Sequence, residues 1–87
     1  MKHASHADIG NRLKRSAGHL QKVIAMLEDG RPCTELAQQL HAVERAITAA
    51  KKALIQDHID HCISDPPADE ADHAKTVADL REITRYL

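Results

Sequence analysis

Between Pro32 and Ser64 the chain contains no internal Pro or Gly, and Leu36, Leu40, Val43, Ile47, Ala50 and Leu54 recur there in alternating steps of four and three. That spacing is an a/d seam, so it predicts a helix from near Pro32 to about Ile63 that pairs with another helix over several heptads. Pro32 suits the first helical position, where its missing N–H costs nothing. The chain has 87 residues, no Phe or Trp, and a single Tyr at position 86. A lone core of that size and composition is marginal, so the seam is expected to close between subunits or with the help of a bound metal.

Two further helices flank the long one. Ile9, Leu13, Leu20, Val23, Ile24 and Leu27 predict a first helix from about Asp8 to Glu28. Ser5 is placed as its N-cap and Gly30 as the left-handed residue after it. Ser64-Asp65-Pro66-Pro67 breaks the chain. A third helix is then expected from about Asp69 to Tyr86, with Asp69, Glu70 and Asp72 at its positive end and Val77, Leu80, Ile83 and Leu87 on its apolar side. The fold class expected is all-α, three helices in a single domain over residues 1–87, with residues 1–7 a mobile arm.

The seam leads to candidate ligands at both ends. His58 and Cys62 lie four apart, on one helix face, and can chelate one ion. Cys33 precedes His58 by 25 residues. On one unbroken helix that separation is about 37 Å, at roughly 1.5 Å per residue. These residues therefore cannot meet within one subunit. Two copies of the helix laid antiparallel put Cys33 of one beside His58 and Cys62 of the other, and isologous symmetry makes two such sites. Two thiolates and one imidazole suit a soft ion of low coordination number, with Cu(I) first. Zn(II), Ni(II) or Co(II) would want a further ligand, for which His61, His3 and His6 are the candidates. His19, His41 and His73 have no partner at ligand spacing. Two cysteines in a cytoplasmic chain read as ligands or redox sensors rather than a structural disulfide.

Net charge is −1, but its distribution is uneven. Residues 1–31 carry six Lys/Arg against three Asp/Glu, and residues 64–87 carry three against six. Arg12, Lys14, Arg15 and Lys22 on the first helix, Arg31 after it, and Arg45, Lys51 and Lys52 on the second form a candidate phosphate-binding surface. A solvated helix face is the competing reading of these charges, and no helix-turn-helix or zinc-finger signature accompanies them. No apolar run approaches the roughly 20 residues of a membrane span, and the first six residues lack the apolar segment of a secretory signal. A cytoplasmic protein is the expectation. No base, nucleophile and oxyanion set suggests an enzyme.

Three segments carry a family resemblance: Arg12-Leu13-Lys14-Arg15-Ser16-Ala17-Gly18-His19-Leu20, then Cys33 followed by Gln38-Gln39-Leu40-His41-Ala42-Val43, then Asp57-His58-Ile59-Asp60-His61-Cys62. Together they resemble the CsoR/RcnR family of metal-sensing repressors over about residues 7–63. The resemblance implies an antiparallel four-helix-bundle dimer, dimers pairing into a flat homotetramer, and binding to double-stranded operator DNA that is released when inducer occupies the intersubunit site. Arg12, Lys14 and Arg15 match the family's basic DNA-contact region.

Copper-sensing members resemble this chain in their Cys, His and Cys spacing, which Cys33, His58 and Cys62 reproduce. Nickel- and cobalt-sensing members differ at the last position or add an N-terminal His, a place His3 or His6 could take. Persulfide-sensing members keep both cysteines and lack the His. The formaldehyde-sensing branch relies on a Pro where this chain has Lys2. Many copper sensors also have a Tyr before the first Cys and a Glu on the third helix. Here Pro32 and Ala78 stand in those places, with Asp79 and Glu82 close to the latter. The expectation is a Cu(I)-responsive repressor. The alternatives are a Ni(II)/Co(II) sensor recruiting an N-terminal His, a persulfide or thiol switch using Cys33 and Cys62, and a metal-storage bundle with no DNA role.

Overall fold

In the computed structural model, which describes residues 5–87, three α-helices follow one another: α1 (His6–Glu28), α2 (Cys33–Ser64) and α3 (Glu70–Ile83), with a terminal 3-10 turn at Thr84–Tyr86. No strand occurs among the described residues. The chain divides into two compact units, one ending at Lys51 and one beginning at Lys52, and α2 runs through both.

In the first unit, α1 and the leading part of α2 form a helical hairpin. Its turn is set by Gly30, whose φ of 74° lies in the left-handed region. There the Arg31 N–H donates to the Met26 carbonyl (3.1 Å) and the Gly30 N–H to that of Leu27 (3.1 Å), the paired bonds of a Schellman motif. The Leu36 N–H then donates to the Pro32 carbonyl at 3.0 Å, so Pro32 sits at the cap and α2 opens at Cys33. Two heptad rows are buried: Ile9, Ser16 and Val23 on α1, and Leu36, Val43 and Ala50 on α2. A 2.7 Å hydrogen bond from His19 to Gln39 ties the helices in an antiparallel register that sets Ile9 opposite Ala50, Ser16 opposite Val43 and Val23 opposite Leu36.

Only half of the predicted seam is therefore used inside one chain. Leu40, Ile47 and Leu54 remain 49%, 44% and 39% exposed. On α1 a second heptad row, Leu13, Leu20 and Leu27, is left open beside Ile24.

In the second unit the closing turns of α2 bury Ile55. Val77, Leu80 and Ile83 give α3 a half-buried apolar side. The Asp69 carboxylate caps α3 by accepting from the Asp72 N–H at 2.8 Å, and the Asp72 carboxylate accepts from the Ala68 N–H at 2.9 Å. The first of these satisfies an N–H that a helix start leaves without a partner, and the second ties down the residue before the cap.

Two local expectations need correction. Ser5 occupies the position before α1, but its backbone is helical and its side chain makes no capping bond; its carbonyl instead accepts from the Ile9 N–H at 3.0 Å. The third helix ends at Ile83, where the last turn tightens to 3-10 geometry, so Leu87 lies beyond it and is 70% exposed.

Candidate metal centre and nucleic-acid interface

The ligand candidates sit at the two ends of α2. Cys33 is its first residue, exposed and free, next to the Gly30 turn. That turn is held by Arg31, whose guanidinium donates to both Glu35 carboxylate oxygens at 2.7 and 3.0 Å. At the other end His58 and Cys62 are half-buried, and His58 Nε2 lies 3.7 Å from Cys62 Sγ. Metal bonds of about 2.3 Å to sulfur and about 2.05 Å to nitrogen, spanning that 3.7 Å, subtend an angle of about 115°. That lies between tetrahedral and trigonal, so the separation is compatible with both atoms binding one ion.

His61 is differently employed: its Nε2 lies 3.1 Å from Asp65 Oδ2, one turn on. His6 opens α1 and is exposed. His3 lies outside the described residues. Among the described residues no three His, Cys, Asp or Glu side chains of one chain converge on a point that could hold a metal. One chain thus brings two candidate donors, His58 and Cys62, together.

The basic residues separate by position. Arg12 and Arg15 line a cleft of about 320 Å³ together with Ser16 and His19 of α1 and Ala46 and Ala49 of α2. Arg12 also pairs with Asp8, one turn earlier, at 3.4 Å. Lys14 and Lys22 are exposed on α1, and Arg45, Lys51 and Lys52 are exposed on α2. Sequence spacing left His19 without a role, because its partner Gln39 lies 20 residues away. The matched heptad rows of α1 and α2 were the available signal, since their antiparallel register brings the two together.

Comparison with known proteins bears on both features. Over 54 residues, or 62% of the chain, the sequence is 37% identical to the copper-sensing transcriptional repressor CsoR of Mycobacterium ulcerans (strain Agy99), covering 46% of that protein. It is 37% identical over 57 residues to the copper-sensing repressor CsoR of Bacillus subtilis (strain 168), covering 56% of it. The matched part of the chain thus spans about half the length of these curated relatives. The solved structure of the nickel-responsive transcriptional regulator InrS superposes with a TM-score of 0.81 at 32% identity, covering 100% of this chain and 98% of that one. The family model for metal-sensitive transcriptional repressors matches residues 5–86. With three helices and a sulfur–imidazole pair near the end of α2, the chain belongs to the metal-sensitive transcriptional repressor family, a family of regulators and not enzymes.

Proposed function

We propose that the chain is a Cu(I)-responsive repressor, acting as one metal-sensing and DNA-binding domain in the cytoplasm. In this reading it holds double-stranded operator DNA while metal-free and lets go when Cu(I) occupies Cys33 of one subunit with His58 and Cys62 of another. The observation that carries the reading is the 3.7 Å approach of His58 Nε2 to Cys62 Sγ, opposite in helix order to a second exposed thiol at Cys33.

The open heptad row supplies the assembly. Leu40, Ile47 and Leu54 are spaced by seven and exposed. Two copies of α2 laid antiparallel with Ile47 on the two-fold axis pair each Leu40 with the other copy's Leu54. The same register sets Cys33 opposite position 61 of the other copy, within the turn that carries His58 and Cys62. Apolar cover and ligand set thus agree on one dimer register. Pairing of dimers into a homotetramer rests on the family resemblance.

Two thiolates and an imidazole satisfy a soft monovalent ion and leave a net charge of −1 at the site. Arg12, Lys14, Arg15, Arg45, Lys51 and Lys52 supply the phosphate contacts, and most of the affinity comes from them. Metal and DNA oppose one another through a coupling free energy that works in both directions: whatever factor Cu(I) removes from DNA affinity, DNA removes from Cu(I) affinity.

A nickel reading is favoured by one finding, the full-length match to a nickel-responsive regulator. It requires a fourth ligand, and His3, His6 or His61 would provide it; Co(II) or Zn(II) would make the same demand. Parallel titrations of Cu(I) and Ni(II) against a fluorescent duplex of the gene's own upstream DNA separate the two. Copper is supported by one Cu(I) per chain and DNA release that is lost in Cys33→Ala and in His58→Ala. Release by Ni(II) that disappears when residues 1–6 are deleted supports nickel. DNA release by Cu(I) with Cys62 replaced by Ala contradicts the proposed site.

A further inference from the structure

The face of α2 that one chain leaves open is not wholly apolar. Leu20 of α1 with Leu40, Val43, Glu44, Ile47 and Thr48 of α2 lines a groove of about 440 Å³. Glu44 is the one charged side chain in that lining, and it is exposed. Seven residues on, in the same heptad row, stands Lys51, also exposed. Elsewhere the chain pairs its charges one turn apart: Asp8 with Arg12, Arg31 with Glu35, and Glu82 with Arg85. Glu44 and Lys51 have no such option. The residues three and four away from Glu44 are Leu40, His41, Ile47 and Thr48, with no Lys or Arg among them. Those around Lys51 are Ile47, Thr48, Leu54 and Ile55, with no Asp or Glu. Among the described residues neither takes part in an ion pair.

The antiparallel α2 register gives both charges a partner. With Ile47 on the two-fold axis, Glu44 lies about 60° to one side of it and Lys51 about 40° to the same side, at roughly 100° per residue. Glu44 stands about 4.5 Å before the axis and Lys51 about 6 Å after it. Reversing the second helix therefore brings its Lys51 to within about 1.5 Å of the level of Glu44. With the helix axes roughly 8–10 Å apart, the two Cβ atoms are about 5 Å from each other, a distance these side chains span easily. We propose that Glu44 and Lys51 are the partner-selecting residues of this chain: each Glu44 carboxylate pairs with the partner subunit's Lys51 ammonium, two pairs per dimer, so that α2 accepts a second copy of this chain over another chain with an equally aliphatic seam. The inference rests on the antiparallel α2 dimer of the proposed function and adds what specifies it. Leu40, Ile47 and Leu54 supply affinity but little register, because a slip of one heptad still sets aliphatic side chains opposite one another. The charges do not tolerate that slip. In one direction it sets Lys51 against the partner's Lys51, and in the other Glu44 against the partner's Glu44, so the unslipped register that joins Cys33 to the other subunit's ligand pair is selected. An ammonium carries three N–H donors, so the pair leaves Lys51 able to meet a phosphate as well.

The test mixes wild type with the double variant Glu44→Lys, Lys51→Glu. The two chains have the same composition, net charge and aliphatic seam. Each should associate with itself equally well, because the exchanged charges still meet across the axis. In a mixed dimer both pairs become like-charged. At roughly fivefold for each pair turned from attraction to repulsion, mixed dimers are disfavoured about 25-fold. The chains are unfolded together and refolded at equal amounts, with one labelled with nitrogen-15, and the dimers are counted by native mass spectrometry. Less than about one-tenth should be mixed, against half when labelled and unlabelled wild type are combined. The single variants should do the reverse: Glu44→Lys combined with Lys51→Glu should give more than about nine-tenths mixed dimers, since only the mixture restores both pairs. Half mixed dimers in both experiments overturns the proposal. An excess of mixed dimers between wild type and the double variant also overturns it, because that is the pattern of parallel helices, and so does a double variant that fails to associate with itself. Wild type that is monomeric at micromolar concentration defeats the shared metal centre and this inference with it. Random mixing with Cu(I)-driven DNA release intact defeats this inference alone.

Discussion

Replacing Ile47 by Glu tests the assembly at its proposed two-fold axis. Seven large aliphatic side chains of α1 and α2, namely Leu13, Leu20, Ile24, Leu27, Leu40, Ile47 and Leu54, are 39–63% exposed in one chain. Their uncovered fractions add to about three whole side chains, worth ~5–10 kcal/mol per subunit at about 1.5–3 kcal/mol for each fully buried aliphatic. Two subunits bring ~10–20 kcal/mol to an association that costs roughly 4–15 kcal/mol in lost freedom. The dimer should therefore be tight.

Ile47 is 44% exposed, so covering it contributes ~1 kcal/mol per copy. On the axis each introduced carboxylate meets its own symmetry mate, and desolvating two like charges adds several kcal/mol. A total loss of at least about 4 kcal/mol weakens dimerisation by about a thousandfold. Sedimentation velocity over a micromolar concentration series measures it. Gln21→Glu, an equal charge change at an exposed polar position of α1, is the control and should leave the assembly unchanged. An Ile47→Glu protein with the wild-type oligomeric state at low micromolar concentration would refute the pairing of α2 about this residue.

Three further outcomes follow from the local structure. Gly30→Ala meets no atom within 4 Å but keeps φ at +74°, so it should cost about 1–2 kcal/mol from backbone conformation alone, read as a lower urea midpoint with unchanged slope. Asp69→Ala removes the bond to the Asp72 N–H and should lower stability by about 1 kcal/mol, with faster amide exchange confined to the first turn of α3. Arg15→Gln should reduce the slope of log K for DNA against log salt by about 1 for each phosphate that Arg15 neutralises, measured by fluorescence anisotropy; an unchanged slope removes Arg15 from the interface.

The heptad spacing of Leu36 to Leu54 made α2 legible in full, because one period without Pro or Gly over that length admits no other element. The same spacing was silent on how the seam divides. Leu36, Val43 and Ala50 turn inward and Leu40, Ile47 and Leu54 stay open, yet both rows are aliphatic, and only the packing of α1 decides between them. Gly30 declared its turn because a left-handed residue has few substitutes. Ser5 had the right chemistry for a cap and is not used as one, since its own backbone joined the helix. His58 and Cys62 were readable as a pair from helix periodicity, and the 3.7 Å approach gives that pair a metal-compatible angle. His19 was not readable, because its partner is set by tertiary register rather than by spacing.

Complementation between two inactive chains tests the intersubunit centre most directly. A Cys33→Ala chain retains His58 and Cys62, a Cys62→Ala chain retains Cys33, and neither homodimer holds a complete ligand set. Unfolded together and refolded at equal amounts, the two chains should give half heterodimers by random pairing, each with one complete site. The account predicts one tightly bound Cu(I) per four chains in the mixture, measured by competition with a Cu(I) chelator, and none in either protein alone. A mixture that binds no more Cu(I) than its separate components would contradict a centre shared between subunits.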